Sequence, residues 1–438
     1  MKILLLNQDW FADDFRACGH EVVTAGTRTH LDLLLEFPIE DIHSLLARLP
    51  NGFYPDRIVV YDESAAIFVS GLEDIDIPLL FYSVDTHHHK EIHKHLAAIF
   101  DLNYVAHKDY VEVLKESTSR VEWLPLWASC NMTPSDQKEY GAVFVGSLNA
   151  KLNPERVHFF TELQKVAPVL VKSGDFSTIF PKSEIVINQT VKGDLNFRVF
   201  EAMMSGAMLL TEDSENGLHD LFESGTHLVT YKKNDVQDAA EKIKYYLEHK
   251  EEAKRIANAG RSEILRLHSS KQRAERILND LEKLERTFNK NRHYAIIPNY
   301  IWGTSILEKR SEVARAQVLE CALKSINQAL ENNEEASAEI APFVISACLK
   351  FDKILQSDMG QRLLEVVCQK HSEMLIFQLA YFWMLQEHGQ RDEVIATINQ
   401  IDASIDVQYI LDQATELINT IMQQSRTQYP SDEILQCR

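Results

Sequence analysis

A chain of 438 residues is too long for one ordinary domain, and two or three are expected. With 45% hydrophobic residues and only 15 Gly and 12 Pro it is globular rather than disordered, and a formal net charge of −20 excludes a nucleic-acid-binding surface while leaving room for a local basic pocket. The apolar run in Met1–Leu6 is too short for a signal peptide or a membrane span, so a cytoplasmic protein with no transmembrane segment is expected. Six cysteines, Cys18, Cys130, Cys321, Cys348, Cys368 and Cys437, lack paired metal spacing and read mostly as small apolar fillers in a reducing compartment.

Lys2–Leu6 predicts a buried strand, followed by a helix to about Cys18 and a second strand at Val22–Thr24. This is the βαβ opening of a Rossmann-like half, and no G-x-G-x-x-G follows strand one, which argues against a dinucleotide redox cofactor. An acidic, leucine-rich helical region is expected from about Leu31 to Leu49, then strands at Arg57–Tyr61 and Pro78–Tyr82.

The last of these runs into Ser83-Val84-Asp85-Thr86-His87-His88-His89, with His93 and His95 close behind. Three readings stand side by side. His89 and His93 have the i, i+4 spacing of a metal pair, without a Glu or Cys to complete a zinc motif. Asp85 at a strand end beside His87 suits proton transfer, because a carboxylate fixes the imidazole tautomer. The later histidines also suit an exposed helix face.

Further strands and helices alternate to Val121–Leu126, where proline stops the run. Trp123 and Trp127 there are packing residues or sugar platforms. A second half opens at Gly141–Gly146, a strand delivered into Ser147–Pro154. Gly146 and Ser147 at the strand end would admit phosphate close to the backbone and Lys151 would add charge; a plain βα turn with a solvated lysine fits equally. Strands at Val169–Val171 and Ile185–Asn188 follow.

From Asn196 to Phe222 the pattern is a helix carrying Val199, Ala202 and Met203 on one face, a stop at Ser205-Gly206, a buried strand at Ala207–Leu210, and Thr211, Glu212 and Asp213 beyond it. Asn196 and Arg198 lie in the helix's first turn, where free N–H groups and the dipole attract phosphate. Glu201 is able to accept from both hydroxyls of a ribose, or to cap or salt-bridge a surface helix.

The ordered run Asn196-x-Arg198-x-Phe200-Glu201-Ala202, Gly206, Thr211-Glu212-Asp213, Gly217-Leu218 and Phe222 resembles the nucleotide-binding half of GT-B glycosyltransferases. It is similar in particular to the CgeB-like branch of group 1, and the likeness continues through Gly225, Tyr231, Ile256-Ala257-x-x-Gly260-Arg261 and His268-x-x-x-x-Arg273. One departure is Gly193, eight residues before Glu201, where group 1 retaining enzymes commonly carry a second Glu; Asp194 is adjacent.

The resemblance implies a GT-B fold, two Rossmann-like domains facing a cleft. It implies a metal-independent, hexosyltransferase-like enzyme with a nucleoside diphosphate sugar as donor, no cofactor, and an acceptor hydroxyl on a glycan or a protein. The donor would lie on Gly146, Ser147, Lys151, Asn196, Arg198 and Glu201, with Asp85 and His87 as catalytic residues facing the acceptor.

A helix over Ser269–Phe288 is expected to close the second half. Beyond a linker at 290–303 no strand pattern survives, and helices are expected at about 304–332, 335–355, 358–370, 373–387, 391–400 and 405–424. The pair around His388-Gly389-Gln390 resembles a degenerate tetratricopeptide hairpin, a module that binds a protein partner, self-associates, or stabilises the enzyme. The expected domains are 1–135 (acceptor), 136–289 (donor) and 304–438 (helical, TPR-like). The alternative function is a catalytically weak nucleotide-sugar-binding scaffold acting through its helices.

Overall fold

The structure is a computed structural model describing residues 1–129, 132–151, 153–401 and 404–427. Cys130, Leu152, Cys437 and the end of the expected helical domain lie outside the described residues.

In the first half, short apolar runs form strands β1 (Lys2–Leu6), β2 (Glu21–Gly26), β3 (Leu33–Leu34), β4 (Glu40–Asp41), β5 (Arg57–Tyr61), β6 (Val69–Ser70), β7 (Leu79–Ser83), β8 (Leu102–Val105) and β9 (Val121–Trp123). Seven of them make an all-parallel sheet in the order β3-β2-β1-β5-β7-β8-β9, while β4 and β6 pair separately. In register, Leu4 lies opposite Val23 and Ile58. The helices are short: α1 (Ala12–Ala17), α2 (Ile42–Arg48), α3 (Thr86–Leu96) and α4 (Val111–Lys115).

The stretch 31–49 is not the continuous helix its leucines suggest. Pro38 follows Phe37 through a cis bond, and helix begins only where the Asp41 carboxylate accepts from His43 and Ser44 N–H.

The second half repeats the plan with β10 (Tyr140–Val145), β11 (Val169–Lys172), β12 (Ser183–Asn188), β13 (Met208–Glu212) and β14 (Val229–Tyr231), all parallel in the order β11-β10-β12-β13-β14. Its helices are α5 (Pro154–Val166), α6 (Phe197–Met204), α7 (Leu218–Leu221), α8 (Val236–Glu248), α9 (Lys250–Glu263) and α10 (Ser270–Glu282). This is the expected GT-B arrangement: two doubly wound sheets with a cleft between them.

The chain crosses between halves near Pro125 and returns along α10, and two arginines tie the crossings. Arg273 donates to the carbonyls of Pro125 (2.7 Å), Leu126 (3.2 Å) and Leu267 (2.8 Å). Arg286 donates to the carbonyls of Ile75, Ile99, Leu72 and Glu73 and pairs with buried Asp101. The helix expected to Phe288 therefore stops at Glu282, because Arg286 and Thr287 spend their polar groups on the first half.

The remaining helices are α11 (Arg292–Ile306), α12 (Glu312–Glu331), α13 (Ala341–Leu355), α14 (Met359–Lys370), α15 (Leu375–Glu387), α16 (Arg391–Ile401) and α17 (Val407–Thr427). Most pack on their sequence neighbours as a stack of helical hairpins. No helix among the described residues is long and apolar enough to cross a membrane.

The stretch expected as a linker, 290–303, is instead the central helix of this part. α11 is buried from His293 through Thr304, and its Ile296, Ile297, Tyr300 and Ile301 share one core with Leu4, Leu6, Ile58, Val60 and Phe81 of the first sheet. Its buried Asn299 satisfies both the N–H (2.8 Å) and the carbonyl (2.9 Å) of Ile67. The other face of the same sheet, through Ile3, Leu5, Val59 and Tyr82, packs with Phe15 of α1, Ile277 and Leu281 of α10, and the second half. The helical part thus completes the first half.

Each of those four α11 side chains is worth about 1.5–3 kcal/mol on burial, against a total stability of roughly 5–15 kcal/mol for a domain. A chain ending at residue 289 is expected to aggregate or remain unfolded in solubility and circular-dichroism assays. A soluble, cooperatively melting 1–289 fragment contradicts the shared core.

At the start of α11, Glu334 accepts from the N–H groups of His293 (3.1 Å) and Tyr294 (3.2 Å), and the His293 ring lies between Glu334 and Asp74. Burial opposes charge on this ring, but the two carboxylates outweigh it and raise its pKa to about 9. The ion cluster therefore stabilises the fold fully below the ordinary imidazole pKa and is lost as pH rises through about 9. Thermal midpoints of the native chain should fall between pH 7 and 9, and His293→Gln should be less stable at pH 7 with that alkaline fall removed.

Candidate functional site

The carboxyl ends of β7 and β8 face those of β10 and β12 across a cleft of about 440 Å³. The first half contributes Asp85, His87, His88 and His107, and the second contributes Arg156, Asp194, Asn196, Phe197, Arg198 and Glu201.

Asp62, just beyond β5, sets the loop that carries Asp85. Its carboxylate accepts from the N–H groups of Ser64 (2.8 Å), Val84 (3.0 Å) and Asp85 (2.6 Å). Asp85 stands at the start of α3 without capping it by its side chain; the carboxylate instead accepts from the Ser64 hydroxyl. His87 packs 4.0 Å from His88 and edge-on to His107 at 4.8 Å, and its buried Nδ1 has no hydrogen-bond partner among the described residues. Burial first, then the neighbouring imidazoles, hold His87 well below the ordinary imidazole pKa, so it is neutral at pH 7. His107 is likewise lowered by burial.

On the opposite wall two guanidinium groups share one aromatic ring. Arg198 lies 4.7 Å and Arg156 5.7 Å from the Phe144 centroid. Arg198 donates to the carbonyl of Val145 (3.0 Å) and to Asn188 Oδ1 (2.8 Å), and Arg156 donates to the carbonyl of Gln189 (3.0 Å) while its buried Nε has no partner. Among the described residues neither has a carboxylate within ion-pair distance. Burial, and then the other arginine, push Arg198 down to about 10.

Asn196 takes the N-cap position of α6 in an extended conformation, yet its buried Oδ1 has no hydrogen-bond partner among the described residues. One turn on, burial raises Glu201 to about 7 against the pull of Arg198. Buried polar atoms normally have partners; here orphaned groups from both halves converge on one gap, which suits a polar, anionic ligand.

Of the residues expected from sequence, Asp85, His87, Asn196, Arg198 and Glu201 are thus brought together. Gly146, Ser147 and Lys151 are not among the residues lining the cleft. The Gly146 N–H donates to the Lys172 carbonyl at 3.0 Å, and a Cβ at this position would stand 2.5 Å from the Arg198 guanidinium. The glycine makes room for an arginine, and its amide is already committed. Lys151 is exposed.

Glu212 is buried and accepts from Thr190 and from Asn234 N–H (2.8 Å), bracing the strand ends from within the second half. Trp127 is buried against Trp10, Phe11 and Phe197 at the crossing, and Trp123 donates to the Ala106 carbonyl; both are packing residues.

The later histidines are not on an exposed face. His89 and His93 lie under Trp302 of α11 and His95 beside Phe343 of α13, all with pKa values lowered by burial. Among the described residues no group of three His, Cys, Asp or Glu side chains is placed to hold a metal ion.

Sequence reasoning missed Arg156, Asp62, Ser64 and His107. Arg156 had a signal, since it sits in the first turn of the helix that follows the glycine-terminated strand β10. His107 follows β8 by two residues, a strand end on the ligand rim.

Residues 150–279, which carry Arg156, Asn196, Arg198 and Glu201, match a family model described as Glycosyl transferase-like. No curated protein matches the chain. Among solved structures, HepE from Anabaena in complex with UDP and glucose is similar at 13% identity and a TM-score of 0.48, over 65% of this chain and all of that one. Sucrose-phosphate synthase from Thermosynechococcus elongatus gives 10% and 0.47 over 65% and 98%, and a glycosyltransferase from Rickettsia africae 11% and 0.45 over 64% and 98%.

Because Glu201 titrates above the ordinary carboxylate range, its neutral form supports the fold below about pH 4.5, and that support is lost as pH rises through about 7. Glu201→Gln should therefore unfold at higher temperature than the native chain at pH 8, by the equivalent of about 1–3 kcal/mol, and differ little at pH 4.5. Identical midpoints at pH 8 contradict a carboxyl group held out of water.

Proposed function

We propose that the protein is a GT-B glycosyltransferase, of the CgeB-like branch, that moves a hexose from a nucleoside diphosphate sugar to an acceptor hydroxyl on a glycan or a protein. The observation that carries the reading is the pair of unpaired, buried guanidinium groups beside the start of α6, one turn from Glu201. Arg156, Arg198 and the first-turn N–H groups of α6 bind the diphosphate, and Glu201 holds the ribose hydroxyls.

As the acceptor oxygen bonds to the anomeric carbon, the bond from that carbon to the diphosphate breaks. The acceptor proton passes to Asp85, whose orientation Ser64 sets, and His87 offers its unpartnered Nδ1 to the sugar. The charge gathering on the leaving diphosphate falls on two cations and a helix dipole, so the reaction proceeds without a metal ion or other cofactor.

A scaffold reading has one observation in its favour. Gly193 adopts a positive φ of 78°, a conformation that a glutamate at this position would hold only under strain. Asp194 reaches the cleft in its stead, with one carboxylate oxygen accepting from Val191 N–H.

Thermal shift against a panel of nucleoside diphosphates and their sugars tests the site. At least one should raise the midpoint, and Arg156→Ala and Arg198→Ala should each weaken that ligand tenfold or more, about 1.4–3 kcal/mol. Asp85→Asn should keep nucleotide binding and lose donor turnover. Binding with no turnover across the panel favours the scaffold, and no nucleotide binding overturns both.

A further inference from the structure

A larger cavity of about 680 Å³ lies on the far side of Ser64. One wall comes from loops of the first half, with Leu34, Phe37 and Phe68, and the other from the end of α11, with Ile306, Leu307 and the following Arg310. We propose that this cavity binds the acceptor, an amphipathic molecule with a sugar or polyol head and an aliphatic or aromatic tail, so that the helical part of the chain takes part in choosing the substrate. The proposal rests on the transferase reading above.

Three observations carry it. The volume falls in the range of small-molecule sites, roughly 300–1,000 Å³. The lining has two chemical sides: Phe37 is 65% and Leu34 46% exposed, apolar surface that a tail would cover, whereas Arg28, Glu63 and Ser64 form a polar side, with Arg28 Nε 3.6 Å from Glu63.

The polar side is also the one that reaches the reaction centre. Ser64 lines this cavity while its hydroxyl donates to Asp85, which lines the donor cleft. Its backbone is held at φ 55°, unusual for a serine, with the N–H on Asp62. A head-group hydroxyl that donates to Ser64 Oγ is therefore linked to Asp85 through the serine, which passes its own proton to the carboxylate and takes the acceptor's in exchange.

The test uses the full chain and n-octyl β-D-glucoside below its micelle concentration, titrated by calorimetry beside free glucose. Saturable glucoside binding at least tenfold tighter than that of glucose is expected, weakened tenfold or more in Phe37→Ala and in Leu34→Ala. Both side chains are exposed, and both variants should keep the nucleotide-induced thermal shift of the native chain. Absence of saturable binding, equal affinity for glucose, or unchanged affinity in the two variants overturns the assignment. Glucoside binding in a protein that binds no nucleotide supports the cavity and overturns the transferase reading on which its role depends.

Discussion

The arrangement on which the site depends is the packing of Arg156 and Arg198 against the one ring of Phe144, with carbonyl and amide oxygens as their hydrogen-bond partners among the described residues. A buried cation without a carboxylate is costly, and a chain of net charge −20 has ample acidic residues to supply one. Asp194 lies near enough to be felt by both arginines and Glu201 by Arg198, yet among the described residues neither carboxylate closes an ion pair with them. The neighbouring features serve this state. Gly146 leaves room for the Arg198 guanidinium, and Asn188 at the end of β12 holds it from below. The two guanidinium groups thus give this wall of the cleft a positive field, and the start of α6 points the same field at the same place.

The opposing wall is held by different means. The loop bearing Asp85 is pinned by three N–H bonds to Asp62, and α3 behind it is wedged under Trp302. Trp302 belongs to α11, so the position of the Asp85 carboxylate depends on a helix more than two hundred residues away in sequence. The first half, with four short helices, lacks the layer that would cover one face of its sheet, and α11 supplies it. Arg286 and Arg273 then tie the second half to this composite at both crossings, which fixes the two walls of the cleft relative to each other.

What the sequence shows and hides follows from where each signal originates. The strand ends and α6 are legible because a half-buried helix beside buried strands keeps its periodicity, and Asn196, Arg198 and Glu201 were readable from it. α11 is not legible for the opposite reason: a helix buried on every side has no polar stripe, and with Pro298 and Gly303 it imitates an apolar linker. The same helix hides the histidines, since His89, His93 and His95 look like a solvated face until Trp302 and Phe343 are placed over them. Gly146, expected to admit a phosphate to its backbone N–H, instead admits a side chain from 52 positions downstream, a fact of tertiary packing that local turn chemistry does not contain. Arg156 was passed over because a lone arginine in a first helical turn looks like a surface residue.

Glu201 links these constraints into a single device. Burial outweighs the pull of Arg198 and raises its carboxyl to about 7. A diphosphate that engages Arg198 would neutralise the one nearby cation that favours the ionised form, and closing water out would raise the desolvation cost further. Both effects drive the group towards the neutral acid, which donates through one oxygen and accepts through the other, whereas the ionised carboxylate accepts at both. The proton on Glu201 thus answers to the charge around Arg198, a consequence of placing one acid a turn from one guanidinium.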